Sequence, residues 1–437
     1  MLRLTFTFLL FSFSLFAQNS ADTVIIIKNV TVWDGLSDAA IPNSQVLIVQ
    51  NLIKEVGRTV TDRKDAKIID GKGRFLMPGL TDAHLHLMLN VSMSAANNSA
   101  HFGYVSARAA KSAQTYLMLG FTTIRDMGGP IFGVKQAIDE GSIPGPRIYP
   151  SGAFISQTSG HGDLRNKKDL NPNWTGGVVN LSQLEGWGYL ADGRAQVLNA
   201  VRENLRQGAS QIKVMAGGGI STAFDPIHTL QYTSDELEAA VQAAADWGTY
   251  VSVHAYTGDA IRRALNAGAK AIEHGHLIDE DAMKLLKEKD AFLVPQSNWA
   301  DLPLTNSPSF LKQKQVQQGA VNEMDLAKKY GVKVAFGTDE FGNIGIEKNT
   351  FREFISRKKW YKPIEILKQT TSLNAQLFAM SGKLNPYPMP LGVIRAGAYA
   401  DLLIYEGNPI ESIEVITKPE QTLKLIMKDG KIYKNEL

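Results

Sequence analysis

The sequence predicts an α/β protein: a (β/α)8 TIM-like barrel with a small β-sandwich domain built from both chain ends. Three features of the 437-residue chain lead there. Between residues 78 and 385, short apolar runs alternate with helical patterns, which implies parallel strand pairing. The runs number eight, the count that closes a barrel. Segments rich in β-formers stand at both ends, outside that alternation. An open doubly wound sheet is the competing architecture for the same pattern.

In chain order, "MLRLTFTFLLFSFSLFAQ" sets Arg3 ahead of an apolar run and then a small residue, Ala17. It reads as a signal peptide over residues 1–17, with a periplasmic or secreted product. The run is too short to span a bilayer; a buried N-terminal strand is the alternative. Over residues 18–77, "TVIIIKNVTVWDG" and "SQVLIVQNLIKEVG" alternate in polarity with turn residues between them, as antiparallel strands do.

The barrel spans residues 78–385. Its strands are expected in "GLTDAHLHL", "FTTIRDM", "RIYPSGAFI", "SQIKVMAGGG", "TYVSVHAYTG", "KAIEHG", "AFLVPQ" and "KVAFGTDEFG". Between them, "TSDELEAAVQAAADWG" has a Thr or Ser cap, acidic residues in its first turn and a stop at Gly248; "TGDAIRRALNAG" stops likewise at Gly268. Residues 386–437 return to sheet in "GVIRAGAYADLLIYEGNPI" and "LKLIMKDGKIYKN".

Composition excludes several classes. The 46 Lys and Arg balance 43 Asp and Glu to a net charge of +3, with no long basic run, so nucleic acid is not an expected partner. No later apolar stretch is long enough for a membrane helix, so no membrane anchor is expected. Cysteine is absent, which removes disulfides, thiolate nucleophiles and thiolate metal ligands together. Any metal must therefore sit on nitrogen and oxygen. The chain has no G-x-S-x-G elbow, P-loop or G-x-G-x-x-G fingerprint, against a serine hydrolase, an NTPase or a dinucleotide enzyme.

In a barrel, chemistry gathers where strands end. His84 and His86, two residues apart on strand one, face the same side. Lys213 lies near the end of strand four, before a glycine cluster; His254 ends strand five, His274 strand six and Asp339 strand eight. Each alone has an ordinary structural role, a hydrogen-bonded core histidine or a helix cap. Together, buried at one end of five strands, they would be costly unless something satisfied them. Asp82 is a supporting candidate or a strand-end hydrogen-bonder. His276 in "EHGH" is assigned to the loop, because Gly275 should end the strand.

These residues carry a resemblance. "TDAHLH", the isolated Lys213, His254, "EHG" and "GTD" resemble the amidohydrolase superfamily, in the branch with metal-dependent Xaa-Pro and Xaa-Arg dipeptidases, ochratoxinase-like amidases and the related imidazolonepropionases. The likeness covers nearly all of the chain after the leader, the C-terminal β segment included. It implies a hydrolase of C–N bonds holding two divalent metal ions, with zinc favoured for nitrogen and oxygen ligands and Mn, Co, Fe or Ni as alternatives. His84, His86 and Asp339 would hold one ion, His254 and His274 the other, and a carbamylated Lys213 would bridge them. A metal-activated hydroxide would attack the amide directly, with Asp339 as the catalytic proton carrier.

Substrates implied are small molecules, dipeptides or N-acyl amino acids. His161 after strand three and Tyr232 after strand four sit where that branch binds the substrate's terminal carboxylate; Tyr256 and His228 are further mouth-lining candidates. A mononuclear imidazolonepropionase-like or deaminase-like enzyme is the nearest rival, against which Lys213 speaks. An esterase or lactonase would use the same ligands, and a non-catalytic barrel serving as a binding protein is a third class. Oligomeric state is open, a homo-oligomer included.

Overall fold

Strand one of the barrel, Leu80–His86, is buried along its whole length, and its polar residues are partnered there: Thr81 donates to Thr370 O and Asp82 accepts from the Thr338 hydroxyl, while His84 and His86 turn to the site. A computed structural model describes residues 23–177, 180–222, 224–306, 309–342 and 346–437, with residues 346–349 described as backbone only. The expected signal peptide over residues 1–17 lies outside the described residues.

Strand one pairs in parallel with strand two, Phe121–Asp126, and strand two with the first half of strand three, Arg147–Pro150. The second half of strand three, Phe154–Ser156, meets strand four, Ile212–Met215. Strands five (Val251–Thr257), six (Ala271–Leu277), seven (Phe292–Val294) and eight (Lys333–Val334) follow in parallel register. The circle closes where the Ala83 N–H donates to Phe336 O at 2.8 Å and the Asp339 N–H to His84 O at 2.7 Å. Glu340–Phe341 then extends alongside Leu85 and His86. All eight expected strands are present, and the barrel is closed.

Strand three is broken where the sequence showed one run. At the break, Gly152 has φ +74. Asn204, fully buried on the helix Arg194–Gln207, substitutes for a neighbouring strand: its Oδ1 accepts the Ala153 N–H at 3.0 Å and its Nδ2 donates to Ala153 O at 2.9 Å. The helices carry the expected ends. Ser234–Asp246 starts from a capping box of Thr233 and Glu236. Gly258–Ala267 ends at Gly268, whose φ of +104 is left-handed.

The two chain ends build one eight-stranded sheet from Val24–Val32, Ile41–Val49, Leu52–Gly57, Lys67–Asp70, Phe75–Pro78, Leu402–Tyr405, Leu423–Lys428 and Lys431–Asn435. Antiparallel pairing of Phe75–Pro78 with Leu402–Tyr405 joins the ends. The sheet encloses its own apolar core, in which Ile25, Ile48, Ile404 and Met427 meet; each such side chain contributes about 1.5–3 kcal/mol by leaving water. Among the described residues, no helix is long and apolar enough to cross a membrane.

Candidate active site

The alternation of strand one puts His84 and His86 on the same side, and their Nε2 atoms come within 3.2 Å of each other. Asp339 Oδ1 lies 3.4 Å from each, and Asp339 Oδ2 lies 3.9 Å from Nδ1 of His274. His84, His274 and Asp339 offer donor atoms that all lie within 4.8 Å of one another. The His254 and His274 rings sit 4.5 Å apart, and Lys213 is buried between the strands at the same cavity. Four histidines, a lysine and an aspartate from five strands therefore converge.

Backbone geometry supports a demand on this place. His274 and Asp339 have φ of +71 and +56, conformations that cost a non-glycine residue about 1–3 kcal/mol and persist where the surroundings enforce them.

Second partners orient the ring nitrogens. Glu273 Oε2 accepts from His84 Nδ1 at 2.6 Å, turning Nε2 inward. Glu273 is itself held by Arg125 at 2.6 Å and by the Ser252 hydroxyl, and Arg125 also donates to Ala83 O and the Tyr250 hydroxyl. The Gly128 carbonyl takes Nδ1 of His86 at 3.3 Å, and Gln296 Oε1 takes Nδ1 of His274 at 2.7 Å. This pattern, one nitrogen tied to an acceptor and the other free, is that of metal-ligating histidines.

The electrostatics agree. Burial, then the Lys213 charge, pushes the His84 imidazole down to about 4. Burial and neighbouring cationic groups likewise hold His254 and His274 well below the usual range. All three are thus neutral and able to donate a lone pair. Burial acts to raise the Asp339 carboxyl, but His84, His86 and His274 hold it well below the carboxylate range. Burial lowers the Lys213 amine to about 8, against the pull of Glu273 and Asp339.

The donor set fits divalent ions. It is all nitrogen and oxygen, and the buried Nε2 of His254 has no hydrogen-bond partner among the described residues, a vacancy costly to leave unfilled. Above these groups opens a cavity of about 680 Å³, large enough for a dipeptide-sized or larger substrate. Its walls are largely apolar, with Phe154, Leu164, Ile220, Trp299 and Phe341.

The remaining sequence candidates separate. His161 lines the cavity, stacked on His254 at 4.1 Å with the rings 13° apart, and Tyr256 lines it beside His254 and His274. Tyr232 does not: with φ +65, its ring packs in the barrel's hydrophobic core and its hydroxyl finds no partner among the described residues. Gln157 accepts its N–H and Arg263 donates to its carbonyl, which fixes that turn. His228 is exposed and off the cavity wall.

His276 is not in a loop. His274 and Gly275 are both at positive φ, and the register shifts there: Ala255 pairs with His274 and Thr257 with Leu277, so Gly275 and His276 bulge opposite Tyr256 and the strand runs on through Leu277. His276 is buried there with Nδ1 2.8 Å from Glu323. Asp82 ties strand one to strand eight, accepting from the Thr338 hydroxyl at 2.6 Å and the His84 N–H at 3.0 Å; burial pushes its carboxyl up to about 7. Glu273, Arg125 and Gln296 are supporting residues that no sequence motif marks. The available signal was a charged residue amid the apolar run "AIEHG".

Residues 75–433 match the model of the Amidohydrolase family. The chain is 33% identical to the ochratoxinase of Aspergillus niger over 377 residues, 82% of this chain and 75% of that protein. The crystal structure of that ochratoxinase superposes with a TM-score of 0.81, covering 95% of this chain and 96% of the other. A prolidase solved in complex with N-methylphosphonate-L-proline is 34% identical, with a TM-score of 0.85 over 94% of this chain and 100% of its own. A Xaa-Pro dipeptidase solved with methionine bound in its active site is 27% identical, with a TM-score of 0.80 over the same shares.

Proposed function

Because the chain belongs to the Amidohydrolase family and is a hydrolase acting on amide or peptide bonds, we propose that it is a binuclear metal-dependent enzyme cleaving dipeptides or N-acyl amino acids. The observation that carries the reading is the convergence of His84, His86, Lys213, His254, His274 and Asp339 beneath one cavity, with the Nε2 of His254 buried and unpartnered. Similarity to an ochratoxinase, a prolidase and a Xaa-Pro dipeptidase supports the substrate class.

His84, His86 and Asp339 would hold one ion, His254 and His274 the second, and Lys213, carbamylated, would join them. An amine lowered to about 8 is neutral in a useful fraction of molecules near pH 7, and the neutral amine is the form that reacts with CO2. Bound divalent ions supply a polarised carbonyl and lower the pKa of water from about 15.7 toward about 7.

The chain's own groups do the rest. Asp339, ionised at neutral pH, accepts the proton of the attacking water and delivers it to the departing amine. Glu273 and Gln296 keep His84 and His274 in the tautomers that leave their inward nitrogens unprotonated. His161, with Nδ1 2.7 Å from Asp225 and Nε2 3.2 Å from Ser221 Oγ, lines the cavity that would receive the substrate. The apolar walls exclude water around the scissile bond. No protein nucleophile is used, so no acyl-enzyme forms.

A library of dipeptides and N-acyl amino acids, screened against metal-reconstituted enzyme with bicarbonate present, tests the reading. Hydrolysis of at least one member is expected. Turnover confined to lactams or esters would replace the peptidase assignment.

A further inference from the structure

Lys312, on the helix Phe310–Tyr330 that follows strand seven, reaches back to the segment leaving strand four. Its Nζ lies 2.8 Å from Gly219 O, 3.0 Å from Thr222 O and 2.7 Å from Asp225 O. An ammonium has three N–H donors, and all three are spent on backbone carbonyls of one short segment. Resting on the hydrolase reading, we propose that Lys312 is a positioning residue for substrate binding: it fastens this segment so that Asp225 can hold His161 against the cavity.

The contacts form one chain from the helix to the site. Asp225, 1% exposed, accepts from Gly219 N–H at 2.7 Å and from His161 Nδ1 at 2.7 Å, and it takes the Thr222 hydroxyl on its other oxygen. Ser221 Oγ lies 3.2 Å from His161 Nε2. His161 in turn stacks on His254. The fit tolerates no bulk: a Cβ on Gly219 would fall 2.2 Å from Cε1 of His161, which accounts for a glycine at this position. Ile220 and Ile227 pack with Tyr256 and with Val316, one helical turn beyond Lys312. Lys312 therefore links the helix after strand seven to the segment after strand four, beside the strand that carries His254.

A lysine that only stabilised the fold would act independently of His161. A lysine that positions His161 would lose its effect once His161 is gone. Two measurements separate these: steady-state kinetics of wild type, Lys312→Met, His161→Ala and the double variant, and hydrogen exchange at the Gly219 amide without substrate. The expected result is a KM raised about tenfold by Lys312→Met with kcat within about threefold, no further rise in the His161→Ala background, and faster exchange at Gly219. Lys312→Arg should restore part of the KM.

Additive KM effects, a fall in kcat alone, or unchanged exchange at Gly219 would overturn the proposal. Should Lys312→Met not fold, Asp225→Asn is expected to give the same His161-dependent KM shift, and an additive shift there overturns it equally. Absence of turnover by wild type on every substrate counts against the hydrolase reading instead, and Lys312 is then judged by exchange at Gly219.

Discussion

Glu273 Oε2 lies 2.6 Å from Nδ1 of His84, and the other Glu273 oxygen lies 2.6 Å from Arg125. The pair fixes which His84 nitrogen carries the proton, because an ionised carboxylate can only accept. Glu273→Gln is expected to weaken metal binding about 10- to 100-fold, the range for such supporting groups. Chelator competition, followed by metal content after dialysis, measures it; equal affinity in the two proteins would remove Glu273 from the account.

Asp339 is the only carboxylate among the described residues that line the cavity. Asp339→Asn should lower kcat by about 10²- to 10⁴-fold, the range for a lost proton-transfer group, with the far-ultraviolet circular dichroism unchanged. Activity within tenfold of wild type would mean another group carries the proton.

Asn204 bonds both the N–H and the carbonyl of Ala153 where strand three is broken. Asn204→Ala leaves two buried backbone groups unpaired, at about 1–3 kcal/mol each. Urea unfolding should show a loss of about 2–6 kcal/mol, well beyond an ordinary surface change. A loss under 1 kcal/mol would show that Ala153 finds other partners.

Lys428, 5% exposed, sits close to Arg147, Asp401 and Asp429 at the sheet–barrel boundary, and burial pushes its amine down to about 8 from the usual 10.5. Between those values the unfolded chain binds more protons than the folded one, so this group's contribution makes stability rise with pH across the window. Below pH 8 the full cost, up to about 3 kcal/mol, is present. Lys428→Met should therefore stabilise the protein at pH 7 by denaturant unfolding, and the gain should shrink toward pH 10. A gain independent of pH would assign the effect to packing alone.

Much of this was legible in the sequence. The eight strands and the six converging residues follow from apolar runs ending in polar side chains, a pattern each segment carries by itself. What escaped depends on remote partners or on backbone twist. Glu273 meets Arg125 across 148 positions, and no local pattern announces that contact; Asp225 and Lys312 are likewise brought together only by the closed barrel. His276 was misplaced because a glycine in a strand can mark a bulge as well as an end, and here the left-handed His274 and Gly275 make the bulge. Tyr232 follows strand four, as its place in the sequence implies, but it sits at φ +65 with its ring in the core, a turn that the local pattern does not show.

A two-ion centre bridged through Lys213 would hold metal in a fixed ratio to the chain. Metal equivalents per chain are to be measured by mass spectrometry on protein prepared with bicarbonate, for wild type beside Lys213→Ala. About two equivalents are expected in wild type, falling to about one or fewer when the bridge is removed. One equivalent in both proteins would rule the two-ion centre out.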